Sequence, residues 1–127
     1  MVKFYQCDHC KNTVEMIYDA GVPLVCCGQK MSELVPGTVE ASKEKHIPVV
    51  KVEGDQVFVE VGSLPHPMIA EHFIEWIVLE TTTGVQRKQL HPNEQPHACF
   101  KLCDNESVVA AYAYCNLHGL WKACGNV

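Results

Sequence analysis

The sequence has no apolar run long enough to cross a membrane. The longest candidate, Phe73 to Leu79, is interrupted by Glu75 and is far shorter than the roughly 18 residues that a span needs. The first residues, Met-Val-Lys-Phe-Tyr-Gln-Cys, lack the apolar core of a signal peptide. We therefore expect a cytoplasmic protein with no membrane partner.

Positive charge is also scarce. Lysine and arginine number 10 against 15 acidic residues, so the net charge of the 127-residue chain is -5. Because phosphate backbones are bound mainly by Lys and Arg, this balance argues against a nucleic-acid partner. It is compatible with a small anionic ligand, which one local positive spot can attract. The content of 47% hydrophobic residues excludes a disordered chain.

Helical periodicity is absent: no stretch of about ten residues or more has apolar residues at helical spacing. Alternating apolar and polar residues predict short strands, separated by turns such as Gly54-Asp55. The predicted strands cover residues 50–53, 56–61, 73–79, 85–90, 98–102 and 108–115. Five or six short strands with turn signals are typical of a β-sandwich, so the predicted fold class is mainly β.

No cysteine occurs in the segment 28–98, although the chain has eight. Four lie before this gap and four after it, which predicts a small N-terminal domain, 1–36, and a larger domain, 37–127. A domain as small as the first cannot build a sufficient core and usually needs a metal or disulfides. In a reducing compartment, thiolates act as metal ligands rather than as disulfides.

The first four cysteines form two close pairs, Cys7-x-x-Cys10 and Cys26-Cys27. Two residues between thiolates let both sulfurs reach one metal from a tight turn, and four thiolates select zinc or iron in a tetrahedral site. Because the second pair is adjacent, we expect a distorted tetrahedron. A structural zinc site without chemistry is the alternative, and a thioredoxin-like redox motif is disfavoured because no βαβ pattern surrounds the cysteines.

Four histidines and one further cysteine lie at predicted strand ends or in loops, where functional residues concentrate. They are His46, His66, His72, Cys115 and His118. Imidazole and thiolate together suit iron, copper or zinc. Each residue alone also fits a surface position or, for Cys115, a place in the core, so the spacing does not by itself establish that the five converge.

The order of these motifs resembles that of the desulfoferrodoxin family, the two-iron class of superoxide reductase. The resemblance covers nearly the whole chain. Beside the cysteine pairs it is carried by Glu44-Lys45-His46-Ile47-Pro48, His66-Pro67-Met68, His72-Phe73-Ile74-Glu75-Trp76 and Cys115-Asn116-Leu117-His118-Gly119-Leu120-Trp121. The fold that it implies is an immunoglobulin-like β-sandwich behind a small, desulforedoxin-like N-terminal domain.

The resemblance implies two iron sites. One iron is expected on the four sulfurs of Cys7, Cys10, Cys26 and Cys27. A second, catalytic iron is expected to take four equatorial nitrogens, with Cys115 as its axial thiolate and the sixth position open. The four nitrogens come from His46, His66, His72 and His118.

The implied reaction is the one-electron reduction of superoxide to hydrogen peroxide, with electrons from an external, rubredoxin-like donor. Lys45 is the expected positive spot that steers superoxide or orients a proton-delivering water. Glu44 is the expected sixth ligand of the oxidised iron. The family also implies a homodimer. For the four-cysteine iron we expect a structural role, with electron relay as an accessory role.

One departure from the family pattern is visible. The first cysteine pair is commonly followed by glycine, and Lys11 stands there in this chain. Three cysteines have no place among the implied ligands: we expect Cys99 and Cys103 to be strand thiols on one face, and Cys124 to lie in a loose tail.

Three other functions compete with this interpretation. A non-catalytic metalloprotein predicts a colourless zinc protein or a purely structural iron. A superoxide dismutase would also have to oxidise superoxide, which an axial thiolate and an external donor disfavour. A protein dedicated to electron transfer would leave the open sixth position of the catalytic iron unexplained.

Overall fold

The computed structural model describes residues 2–125 and divides the chain into two compact units, Met1–Val35 and Pro36–Val127. The division falls one residue before the boundary predicted from the cysteine pattern. The described residues are nearly all in strands and turns, which confirms the mainly-β fold class. They contain one helix, of four residues, and no helix that could span a membrane.

The first unit consists of very short antiparallel strands. They are β1 (Phe4–Gln6), β2 (Thr13–Glu15), β3 (Val25–Cys26), β4 (Gln29–Lys30) and β5 (Ser32–Glu33). Strands β2, β1 and β5 form one sheet in that order, and β3 pairs with β4. Among the described residues of this unit only Phe4, Gln6 and Cys7 are buried. So small a core leaves the unit dependent on another source of stability, such as a bound metal.

The second unit is a sandwich of two antiparallel sheets. Its elements are α1 (Lys43–His46), β6 (Pro48–Glu53), β7 (Gln56–Val61), β8 (Ile74–Thr81), β9 (Gly84–Gln89), β10 (His97–Lys101), β11 (Val108–Cys115) and β12 (Gly119–Cys124). One sheet has the order β10-β7-β6 and the other β12-β11-β8-β9. Seven strands divided three and four between two sheets is the immunoglobulin-like arrangement.

The core of the sandwich lies between the inner faces of the two sheets. Val57, Val59 and Val61 alternate along β7 and are fully buried, because successive strand residues point to opposite faces. The four-stranded sheet supplies Ile77 and Leu79 from β8, with small alanines of β11 facing the same core. The alternation that predicted the strand 56–61 from sequence therefore corresponds to the buried face of β7.

Two expectations about the extra cysteines are wrong. Cys124 does not lie in a loose tail: it is the last residue of β12 and pairs with Ala110, because the β11–β12 hairpin continues that far. Cys103 lies two residues beyond the end of β10, so Cys99 and Cys103 do not share a strand. All eight cysteines of the described chain are free thiols.

Candidate metal centres

The four cysteines of the first unit converge on one point. Their Sγ atoms all lie within 4.8 Å of one another, and the sulfurs of Cys10 and Cys26 are 3.6 Å apart. This separation is too long for a disulfide bond and suits thiolates that share one tetrahedral ion. The structure thus brings together Cys7, Cys10, Cys26 and Cys27, the four residues singled out in the sequence.

The backbone around these cysteines aims the sulfurs inward. The N–H of Cys10 donates to the Cys7 sulfur at 3.4 Å, and the N–H of Lys11 donates to the Cys7 carbonyl at 2.9 Å. In the adjacent pair, Cys27 has a φ of 53° and Gly28 a φ of 76°. These two left-handed residues turn the chain sharply, which lets neighbouring thiols serve one site.

Hydrogen bonds and neighbouring thiols make the four sulfurs unequal. The backbone N–H of Cys10 is the main cause that lowers the pKa of Cys7 to about 6. The crowding of thiols, chiefly the side chain of Cys10, raises the pKa of Cys27 to about 12 and raises the pKa of Cys26 as well. Four thiolates at this spacing therefore need a cation to offset their mutual repulsion.

In the second unit four imidazole rings form a closed square. Each ring is close to perpendicular to the next: the centroids are 4.7 Å apart for His46 and His66, 4.6 Å for His66 and His72, 5.1 Å for His72 and His118, and 4.9 Å for His118 and His46. Across the square, His46 and His72 are 6.4 Å apart. The predicted histidines are thus gathered at one place.

Two of these rings have their protonation fixed by the backbone. His46 Nδ1 lies 2.6 Å from the carbonyl of Ser42, and His66 Nδ1 lies 2.7 Å from the carbonyl of Pro67. Because a carbonyl only accepts, each Nδ1 carries the hydrogen and each Nε2 presents a lone pair to the centre of the square. Burial lowers the pKa of His46 and lowers that of His66 to about 4, which keeps both rings neutral and able to bind a metal.

The thiol of Cys115 belongs to the same cluster. Its Sγ lies within 4.8 Å of the ligating nitrogens of His46, His66 and His72 and 3.8 Å from Nδ1 of His118. Burial raises the pKa of this thiol, while the backbone N–H groups of His118 and Leu117 act in the opposite direction. A cation in the square would supply the charge that stabilises the thiolate.

Three observations show that a metal fits this cluster. The Nε2 atoms of His46 and His66 are 3.2 Å apart although neither carries a hydrogen, and Nε2 of His46 is 3.1 Å from Nδ1 of His118. Four nitrogens about 2.1 Å from one ion in a square arrangement lie about 3.0 Å from their neighbours. In addition, Nε2 of His72 is the one buried side-chain N or O atom of the described residues without a hydrogen-bond partner.

The five residues come from the strand ends of both sheets. His46 ends α1 just before β6, and His66 follows β7, so these two extend from the three-stranded sheet. His72 precedes β8, Cys115 ends β11 and His118 precedes β12, so the other three extend from the four-stranded sheet. The cluster therefore joins the two sheets at one end of the sandwich.

Lys45 and Glu44 differ in their relation to the cluster. The positive charge of Lys45 is among the causes that lower the pKa of His46 and of His72, after the larger effect of burial. Glu44 is exposed, its carboxylate accepts a long hydrogen bond of 3.5 Å from the Ser42 hydroxyl, and it is outside the group of converging ligand atoms.

Three residues that support the cluster received no role in the sequence analysis. The ring of Trp121 packs against that of His46 with centroids 4.9 Å apart and a tilt of 32°, and its Nε1 donates to the His118 carbonyl at 3.0 Å. Asn116 bonds the segment that carries His72. Gly62 packs against the backbone of α1. Asn116 and Trp121 stand in the quoted motif, but only their contacts in the folded chain reveal what they do.

Comparison with known proteins agrees with this arrangement. The family model described as Desulfoferrodoxin matches residues 38–124. A desulfoferrodoxin homolog from Archaeoglobus fulgidus is 44% identical over 123 residues, which is 97% of this chain and 97% of the relative. A desulfoferrodoxin from Syntrophotalea carbinolica is 44% identical over 124 residues, 98% of this chain and 97% of the relative.

The fold also matches a solved structure over nearly its full length. The crystal structure of the superoxide reductase from Treponema pallidum superposes with a TM-score of 0.82 at 36% identity and covers 97% of both chains. With the sandwich, the four-thiol cluster and the histidine–cysteine cluster in place, the chain belongs to the desulfoferrodoxin family.

Proposed function

We propose that this protein is a superoxide reductase that converts superoxide, one electron and two protons into hydrogen peroxide. The observation that carries the proposal is the square of four imidazoles joined by the buried thiol of Cys115. The relatives named superoxide reductase support it, among them the Treponema pallidum protein. An iron ion held by His46, His66, His72, His118 and Cys115 supplies, when bound, the one-electron redox chemistry.

The five protein donors have distinct tasks in this proposal. The four imidazole nitrogens would hold the ion, and the Cys115 thiolate would add one negative charge that favours donation of an electron. Five donors would leave room on a six-coordinate ion for a small ligand. The carbonyls of Ser42 and Pro67 keep the rings of His46 and His66 oriented for this task.

Lys45 is proposed to attract the anionic substrate and to hold the water that delivers a proton. The support is its electrostatic effect on two rings of the square, in a chain whose net charge is -5. A local cation near a site raises the rate of encounter with an anion even where the whole protein repels it.

Glu44 is proposed as the carboxylate that takes the remaining coordination position in the oxidised resting protein. A hard ferric ion favours a carboxylate oxygen, and the 3.5 Å bond that holds the Glu44 side chain to Ser42 is weak enough to release it. The absorption spectrum of the oxidised Glu44→Ala protein should then shift, whereas its reaction with superoxide in the reduced state should remain. An unshifted spectrum would remove Glu44 from the coordination sphere.

The four-cysteine site is proposed to hold a second iron with a mainly structural role. The single-iron superoxide reductase from Giardia intestinalis supports this division of labour, since it aligns over 96% of its own length with only 64% of this chain, at 37% identity and a TM-score of 0.55. The electron donor lies outside the chain, and a rubredoxin-like protein and a homodimeric assembly are proposed from the family.

The decisive experiment is the stoichiometry of the reaction. Superoxide is supplied to the reduced protein with an excess of reductant, and hydrogen peroxide and oxygen are both measured. One peroxide for each superoxide, without oxygen release, is the expected result. One oxygen for every two superoxide ions would identify a dismutase, and a colourless zinc protein without reaction would identify a structural metalloprotein.

Two histidine variants serve as the matched pair for this experiment. His66→Ala removes a buried member of the square and should abolish the reaction together with metal binding at that site. His97→Ala removes an exposed histidine on β10 and should leave both intact. Full activity of the His66→Ala protein would contradict the proposed site.

A further inference from the structure

The strands β8 and β11 lose their regular register where the proposed ligands leave the sheet. Tyr114 pairs with Trp76, but the next residue, Cys115, pairs with Ile74, so a bulge interrupts the ladder. Irregularities of this kind redirect side chains near functional sites. Beyond the bulge the Cys115–Ile74 pair and the backbone bond from Asn116 to Phe73 still join the segment 71–73 to the loop that carries Cys115 and His118, but in a shifted register.

The side chain of Asn116 adds hydrogen bonds between the segment 71–73 and the loop that carries Cys115 and His118. Its Oδ1 accepts a hydrogen bond from the N–H of Phe73 at 2.9 Å, and its Nδ2 donates to the carbonyl of Glu71 at 3.0 Å. Its own N–H donates to the Phe73 carbonyl at 3.2 Å. The two side-chain bonds engage the peptide groups on both sides of His72, which lies between Glu71 and Phe73.

His72 needs such support more than two of the other histidines do. The rings of His46 and His66 each have Nδ1 beside a carbonyl oxygen, whereas the buried Nε2 of His72 has no hydrogen-bond partner among the described residues. The backbone of His72 is held by a reciprocal pair of bonds to Ile69, at 3.0 and 3.1 Å. That pair closes a local turn and does not tie His72 to the loop of Cys115 and His118.

We propose that Asn116 is a positioning residue that sets the distance between His72 and the other two ligands of the four-stranded sheet, Cys115 and His118. The inference rests on the ligand set of the proposed function. Because Asn116 stands between those two ligands in sequence and bonds both peptide groups beside the third, one side chain places three of the five donors.

The test is a cobalt(II) titration of the full chain. Binding at the histidine–cysteine site is monitored through its thiolate-to-cobalt absorption. Asn116→Ala should weaken cobalt binding at that site by about 10- to 100-fold, the usual effect of losing a group that orients metal ligands. Asn116→Asp keeps the acceptor for the Phe73 N–H and loses the donor to the Glu71 carbonyl, so its loss of cobalt affinity should be smaller than that of Asn116→Ala. Circular dichroism establishes whether each chain folds.

The four-cysteine site serves as an internal control in every titration. Its own cobalt spectrum should be unchanged in both Asn116 variants. Asn12→Ala gives the reciprocal control, because the Asn12 amide donates to the Cys26 sulfur at 3.6 Å: it should alter the four-cysteine spectrum and leave the other site as in the wild type.

Wild-type cobalt affinity and spectrum in Asn116→Ala would overturn the proposal, and if that chain does not fold, wild-type affinity in Asn116→Asp would overturn it. Failure of the proposed function looks different. In that case the wild-type chain itself either does not bind cobalt through Cys115, or its iron-loaded form does not reduce superoxide.

Discussion

The backbone N–H of Lys11 donates to the carbonyl of Cys7 at 2.9 Å, and Lys11 reaches this position with a φ of 67°. This left-handed conformation suits glycine, the residue that commonly follows the cysteine pair in the family, and is unfavourable for lysine. The departure noted in the sequence therefore coincides with a conformational cost in the structure.

Lys11→Gly should stabilise the first unit by about 0.5–1 kcal/mol, since relief of the left-handed penalty exceeds the added chain entropy of glycine. The measurement is the guanidinium midpoint at which the absorption of the four-cysteine site disappears. Lys30→Gly on β4, where no positive φ occurs, is the matched control and should lower that midpoint. A lowered midpoint for Lys11→Gly would contradict the argument.

Lys45→Ala should slow the second-order reaction of the reduced protein with superoxide by on the order of ten-fold at low ionic strength. The difference from wild type should shrink as salt is added, because salt screens the attraction. Lys43→Ala, on the same helix, is the control and should change the rate less. Pulse radiolysis gives the rates, and equal rates for Lys45→Ala and wild type at every ionic strength would refute the steering role.

Gly62→Ala should displace the segment that carries Glu44, Lys45 and His46. A Cβ at residue 62 would lie 2.5 Å from the Glu44 carbonyl oxygen and 2.9 Å from that of Ile47. These are backbone atoms, which yield only by moving the helix, so we expect a loss of about 1–3 kcal/mol in the free energy of unfolding.

Calorimetry of the Gly62→Ala protein, with its iron content, measures this effect. Gly54→Asn is the control: residue 54 has open space around it and a φ of 61°, which asparagine tolerates. The prediction fails if Gly62→Ala is as stable as the Gly54→Asn protein and retains full iron at the histidine–cysteine site.

Glu106→Gln should destabilise the sandwich at neutral pH and less so in acid. The Glu106 carboxylate accepts bonds from the hydroxyls of Thr81 and Thr83 and from the N–H of Cys103. These bonds, the one from Thr81 foremost, lower the pKa of Glu106 below its ordinary value of 4.5. A lowered pKa in the folded state means that the stabilisation is complete above pH 4.5 and is lost as the pH falls through the folded-state pKa.

The difference in melting temperature between wild type and Glu106→Gln should therefore narrow below pH 4.5. Comparing the two chains at each pH cancels the loss of metal that both suffer in acid. Glu60→Gln, at an exposed position on β7, is the control and should melt like wild type at pH 7. A difference that stays constant down to pH 3 would show that the charge of Glu106 plays no part.

Removal of the metal from the four-cysteine site should unfold the first unit and spare the second. In a Cys10→Ser, Cys26→Ser chain we expect rapid proteolysis of residues 1–35, since only Phe4, Gln6 and Cys7 of the described part are buried there. The reaction of the reduced second unit with superoxide should persist. Loss of turnover with an external reductant, while the pre-reduced second unit still reacts with superoxide, would show that the first site is needed as an electron relay.

The sequence predicted the donor residues better than the groups that orient them. Cysteine pairs and the Cys115-x-x-His118 spacing signal metal binding because few other roles need those residue types together. The carbonyl of Ser42 that orients His46 has no side-chain signature at all. Gly62 and Asn116 act through contacts with segments 15 or more positions away, which local pattern does not reveal.

The strands were predictable where one face is buried. Val57, Val59 and Val61 alternate with less buried residues and mark β7 clearly. Helix α1, with four residues, is too short to show any period. The position of Cys124 was predicted wrongly because no alternation of apolar and polar residues marks the end of β12. Only its pairing with Ala110 shows that the strand continues to this residue.

The span of each cluster along the chain determines when it can assemble. Cys7 and Cys26 are 19 positions apart, whereas His46 and His118 are 72 positions apart and extend from different sheets. Closing a short segment is fast, but contacts between distant segments form late in folding. The four-cysteine site can therefore form while the chain is still emerging from synthesis, whereas the histidine square exists only after both sheets have closed and can bind its metal only then.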